Sequence, residues 1–158
     1  RVTFDPNIRP ALVERARGAE VARQIAALSH VVKLSDEDAA AVYPSLPLSD
    51  VAQRLLDLGP DLVAITRGGD GALLASRTDR VDVASQPVDV VDTVGAGDTF
   101  MAALIATTVN IDLAGAAPGV LREVGEYCAS AAAITVARAG ADLPTRHELQ
   151  CSLGLPHR

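Results

Sequence analysis

Residues 91–100 read Val91-Asp92-Thr93-Val94-Gly95-Ala96-Gly97-Asp98-Thr99-Phe100. A glycine-flanked turn, Gly95-Ala96-Gly97, opens directly into a helical stretch that continues through residues 101–109. Such a turn leaves the first backbone N–H groups of the helix unpaired and pointing outward. Together with the helix dipole those donors form an anion site. Glycine lets the backbone approach a phosphate with no Cβ in the way. Asp98 falls within the first helical turn, beside that site. An acid next to a phosphate cradle is a poor choice if binding is the only task. It makes sense if the acid accepts a proton from a hydroxyl that attacks the phosphate. Asp98 as a helix-capping residue is the alternative that the residues alone leave open.

Outward from this turn the chain alternates strand and helix. Upstream, residues 2–4 form a short apolar strand ended by the turn former Asp5-Pro6-Asn7. Pro10 suits the first position of a helix over residues 11–28, where Leu12, Val13, Ala16, Ala19, Ala22, Ile25, Ala26 and Leu28 recur at helical spacing. Residues 30–34 are a buried parallel strand. Ser35 caps a helix to Tyr43, with Glu37 and Asp38 in its first turn. Pro44 and Pro47 break the chain, Ser49 caps the next helix, and Gly59-Pro60 stops it. Residues 62–66 are a third buried strand. The order β-α-β-α-α-β predicts a parallel sheet with helical crossovers. After the tight turn Gly68-Gly69-Asp70-Gly71 the rhythm changes. Residues 72–76 and 80–84 read as antiparallel hairpins added at the sheet edge. Downstream of residue 100, an Ala-rich helix over residues 121–138 stops at Gly140, and a short helix over residues 145–152 follows.

Composition narrows the function classes. The chain has 158 residues, 49% hydrophobic, 22% charged and 3% aromatic, which excludes disorder and low complexity. No apolar run reaches the ~18 residues of a membrane span. Net charge is −6 with no basic block, so neither nucleic acid nor membrane is an expected partner. Cys128 and Cys151 form no CxxC pair, which fits a reducing cytoplasm. His30, His147 and His157 show no metal-ligand spacing. The chain opens at Arg1 directly into a strand, as a piece cut on its N-terminal side would.

Residues 91–100 resemble the C-terminal signature of the PfkB (ribokinase-like) carbohydrate kinases, Asp-Thr-x-Gly-Ala-Gly-Asp, at every fixed position. Thr66-Arg67-Gly68-Gly69-Asp70-Gly71 resembles the family's Thr-x-Gly-x-x-Gly turn. Asp5-Pro6-Asn7-Ile8-Arg9-Pro10 resembles a segment of the fructokinase-like members. The three occur in the family's order. The resemblance implies a three-layer α/β/α sandwich, mostly parallel with antiparallel edge hairpins, of which residues 1–158 are the C-terminal half. On that resemblance the sugar-binding N-terminal half and its lid are expected to be absent from these residues.

The resemblance also implies roles. Asp98 is the general base for a sugar's primary hydroxyl, and Gly95, Ala96 and Gly97 form the anion hole. Thr66, Gly68, Gly71, Thr93, Cys128 and Ala132 line the ATP site. Mg²⁺ bridges the phosphates, with Asp38 on the metal side. Asp92, with carbonyls near Val94, Thr135 and Gly140, would hold a monovalent cation such as K⁺. Arg9 reaches toward the substrate, or is a surface residue at a helix start. The family's Asn-x-x-Glu is here Ser35-Asp36-Glu37-Asp38, a form found in the fructokinase-like branch, which a helix cap explains equally well. The expected partners are ATP and a small sugar. The expected activity is that of a fructokinase- or ribokinase-like enzyme. The alternatives are a 2-keto-3-deoxygluconate kinase and a non-catalytic nucleotide-binding module. A homodimer through an exposed sheet edge is also an expectation.

Overall fold

In the computed structural model, which describes residues 1–9 and 11–154, five strands form one sheet in the order β1 to β5. They are β1 (Thr3–Phe4), β2 (Val31–Ser35), β3 (Leu62–Thr66), β4 (Ala72–Ser76) and β5 (Arg80–Val83). β1, β2 and β3 run parallel, with Val31 opposite Leu62 and Lys33 opposite Ala64. β4 and β5 are antiparallel additions, with Thr66 opposite Ala72 and Ala72 opposite Val83. The sandwich and edge hairpins expected from the sequence are both present.

The middle strands are nearly continuous apolar runs, and successive side chains alternate between two cores. Val31, Leu62, Ala64, Leu74 and Val83 face one core, shared with α4 (Ala96–Thr108) and α5 (Pro118–Val136). Val32, Leu34, Val63, Ile65 and Leu73 face the other, filled by Val51, Leu55 and Leu56 of α3 (Leu48–Leu56) and by Ala39 of α2 (Asp36–Val42). Full burial of one such aliphatic side chain contributes roughly 1.5–3 kcal/mol. The layers leave the C-terminal ends of β2 and β3 beside the N-terminus of α4, where a ligand can meet both.

Several boundaries differ from the sequence reading. α1 (Arg15–Ala26) begins four residues later than expected, with Glu14 as its N-cap. Its buried face is Gly18, Ala19, Ala22 and Ala26, whereas Leu12 and Leu28 are 85% and 76% exposed. Their spacing mimicked a helical period that no core answers. Pro10, expected at the start of this helix, and His157 lie outside the described residues. Pro47, not Ser49, is the N-cap of α3; Ser49 lies inside its first turn and bonds Asp50. α5 starts at Pro118, whose fixed φ suits the first helical position. α6 (Arg146–Ser152) opens on a reciprocal capping box between Thr145 and Glu148. Among the described residues no helix is long and apolar enough to cross a membrane.

Candidate active site

The stretch before α4 is tied down at both ends. The Asp92 carboxylate accepts the Val94 N–H through Oδ1 and the Gly140 N–H through Oδ2, both at 3.0 Å. These two bonds hold its acid strength above that of an ordinary aspartate, the Val94 N–H contributing most. The N–H groups of Val91 and Asp92 both donate to the Val136 carbonyl at the end of α5. Residues 91–94 are therefore fastened to the turn that follows α5.

Gly95 caps α4 with φ +82°, a left-handed conformation, and a Cβ there would stand 3.0 Å from the Cβ of Ala141. Its carbonyl accepts both the N–H and the hydroxyl of Thr99, at 2.8 and 2.9 Å. The Thr99 hydroxyl in turn meets that of Thr135 on α5 at 2.8 Å, and both side chains are buried. This chain of bonds fixes the first turn of α4 against α5. The Ala96 N–H turns back to the Thr93 carbonyl at 3.3 Å. Of the expected anion donors, Ala96 is thus partly engaged. The N–H groups of Gly97 and Asp98 follow it at the open helix end, where a helix lacks internal acceptors.

Asp98 is the third residue of α4 and exposed. Among the described residues no side chain or backbone N–H bonds its carboxylate, so it does not cap the helix through a side-chain bond. It stands free next to the anion-binding end.

Beside this turn runs a groove of about 450 Å³, between the Gly68–Gly71 turn and α5. Thr66, Gly68, Gly71, Thr93 and Ala132, five of the residues expected at the nucleotide, all line it. Ala96, Gly97 and Phe100 close one end, and Val88, Val90 and Val136 supply apolar walls. A flat aromatic base fits apolar walls, and phosphates fit the helix end. Cys128 is the exception. It is completely buried in the α4–α5 core, not in the groove, and burial pushes its thiol up to about 12. The face of α5 that meets the groove carries Ala129, Ala132, Ala133 and Val136.

The remaining candidates lie on the β1–β2 side. The Asp38 Oδ1 accepts the Ile8 N–H at 2.9 Å, while its own N–H donates to the Ser35 hydroxyl at 3.0 Å. Asp38 therefore fastens the loop after β1 to the cap of α2. Arg9 is exposed, and its carbonyl accepts the N–H groups of Leu12 and Val13. Among the described residues no three His, Cys, Asp or Glu side chains converge on one point.

One pair escaped the sequence reading. Lys33, in β2, is 5% exposed and donates to Asp5 Oδ2 at 2.9 Å. A single lysine inside an apolar strand run was the signal available for it.

Residues 1–148 match the family described as pfkB family carbohydrate kinase. A fructokinase from Rhizobium leguminosarum bv. trifolii is 41% identical over 108 residues, 67% of this chain and 33% of that enzyme. The solved aminoimidazole riboside kinase from Salmonella enterica, complexed with aminoimidazole riboside and an ATP analog, superposes with a TM-score of 0.81 at 30% identity. That match covers 96% of this chain and 51% of the other. A double mutant of fructokinase from Vibrio cholerae, in fructose-, ADP- and potassium-bound form, gives a TM-score of 0.81 at 25% identity, covering 94% and 49%. The chain thus spans about half the length of the solved kinases it matches.

Proposed function

This chain belongs to the pfkB family of carbohydrate kinases, and on that premise we propose that it is the nucleotide-binding and phosphoryl-transfer half of an ATP-dependent sugar kinase of fructokinase type. The observation that carries the reading is the free, exposed Asp98 carboxylate at the open N-terminus of α4, next to the groove. Asp98 takes the proton from a primary hydroxyl as its oxygen attacks the γ-phosphorus. The bond from that phosphorus to the ADP oxygen breaks in the same displacement. The N–H groups of Gly97 and Asp98 stabilise the negative charge on the transferring group. Thr66, the Gly68–Gly71 turn and Ala132 hold the nucleotide. Mg²⁺ on the phosphates would neutralise part of their charge, and Asp38, the carboxylate expected on the metal side, would reach it only through the oxygen that the Ile8 N–H leaves free. A K⁺ site would draw on Asp92, whose oxygens each keep a lone pair beyond the N–H they accept, and on the carbonyls of Val94, Thr135 and Gly140.

The sugar is selected by the other half of the kinase, which also excludes water and positions the hydroxyl. Positioning accounts for ~7–11 kcal/mol of such a barrier, so the 158 residues alone turn over negligibly. The test is Asp98→Asn in the longest chain that carries these residues. Sugar-dependent ADP release should fall by roughly 10²–10⁴-fold, with MgADP binding retained. Unchanged turnover would reject Asp98 as the base, and absence of nucleotide binding in the wild type would reject the kinase reading.

A further inference from the structure

The groove and Asp98 account for nucleotide and hydroxyl but leave one buried ion pair unused. Lys33 is the only lysine of the chain. Its ammonium donates to Asp5 Oδ2 at 2.9 Å and lies 3.0 Å from where a Cβ on Gly97 would stand. It therefore sits against the first turn of α4, on the side opposite Thr99. An ammonium carries three donors, and among the described residues only Asp5 accepts from this one. The helix end that it faces is itself electropositive. A buried cation beside a positive helix terminus opposes the fold, and one partly exposed carboxylate offsets only part of that cost. The arrangement becomes favourable when negative charge occupies the turn.

We infer that Lys33 is a positioning residue for phosphoryl transfer. Held by Asp5, it flanks the Gly97 turn and raises the positive potential of the anion hole without touching the phosphate. Asp5 aims the ammonium, and Gly97 leaves it room to approach the helix backbone. This inference rests on the kinase reading above. It assigns to a strand residue a charge that the N–H groups alone do not supply. The transferring phosphoryl group gathers negative charge on its equatorial oxygens, so a fixed cation beside the turn acts more on the transition state than on bound ADP.

The test compares wild type, Lys33→Met and Lys33→Arg in the longest chain carrying these residues. Calorimetry measures MgADP alone and MgADP with aluminium fluoride, a mimic of the transferring group, and circular dichroism checks the fold. All three proteins should bind MgADP within about threefold of one another. The fluoride complex should be about 10²-fold weaker in Lys33→Met and largely restored in Lys33→Arg. Equal tightening by fluoride in wild type and Lys33→Met overturns the inference and leaves the kinase reading intact. Loss of MgADP binding in a folded Lys33→Met also overturns it, because the residue is then structural. A wild type that binds MgADP without fluoride tightening overturns both readings. If Lys33→Met does not fold, acylation of Lys33 in the wild type replaces it. MgADP with fluoride should slow labelling at least tenfold relative to MgADP, and equal rates overturn the inference.

Discussion

Two glycine turns border the groove, and they use glycine for opposite ends. In the Gly68–Gly71 turn the chain is closed on itself. Arg67 N–H donates to the Gly71 carbonyl at 2.8 Å, Asp70 N–H to the Arg67 carbonyl at 3.0 Å, and the Ser85 hydroxyl to the Gly69 carbonyl. Gly71 has φ +85°, and a Cβ would fall 2.0 Å from the Val83 carbonyl oxygen. Glycine is required there by the fold. In the Gly95–Gly97 turn the backbone is fixed from behind by Thr99, Thr135 and Asp92, while its front is open. A Cβ on Gly97 would meet only the end of the Lys33 side chain, at 3.0 Å. Glycine is required there by the buried ammonium it makes room for, not by the backbone. Similar local sequence thus serves stability in one place and chemistry in the other.

This contrast can be broken by substitution. Gly71→Ala combines backbone strain with overlap against a carbonyl, and should lower the unfolding free energy by about 3–5 kcal/mol. Denaturant melts check it, and a loss below about 1 kcal/mol would mean that the turn is not closed as described. Gly97→Ala should show the reverse pattern. Helix propensity favours alanine over glycine by up to ~1 kcal/mol, so its melt should be equal or better. Turnover should fall about tenfold as Lys33 and the turn shift, since small misplacements are costly in catalysis.

Thr135→Val sharpens the comparison by loosening the back of the open turn. It removes the buried hydroxyl pair with Thr99, and a stability loss of about 1 kcal/mol is expected. The Gly71 turn should be untouched, which amide exchange at Gly71 against Gly97 would show.

The smallest effect is on pH dependence. Glu148 is bonded by the Thr145 N–H, by the Arg138 guanidinium at 2.6 Å and by the Thr145 hydroxyl, in that order of influence, and its pKa drops from 4.5 to about 2. Because folding lowers this pKa, the unfolded state takes up the proton first. The stabilisation is complete above about pH 4.5 and disappears as pH falls toward about 2. Asp92 titrates in the same direction. Glu148→Gln should flatten the acid limb of a melting-temperature profile between those values, and a limb identical to wild type would remove Glu148 from the account.

Much of the site was legible in the sequence because its parts are local. Asp92 to Asp98 and Thr66 to Gly71 are single turns, and the order of strands and helices follows from short apolar runs broken by glycine and proline. The misreadings have a common physical cause. Leu12 and Leu28 kept helical spacing, yet burial depends on what packs against a face. Cys128 lies one turn before Ala132 on the same side of α5, and that step along the axis carries it out of the groove into the core shared with α4.

The α/β order, the two glycine turns and the acid in the first turn of α4 are written in the chain itself. Those features rest on backbone preferences and short-range spacing, which need no partner. Long-range packing is what brings Lys33 and Asp5, 28 residues apart, together beside Gly97. It alone also fastened Asp92 to Gly140 and left the front of α4 open. β2 is buried on both faces, so its pattern carries no sign of which helix covers which side. That choice is made when the crossovers pack, and it places the one lysine of the chain beside the anion-binding turn.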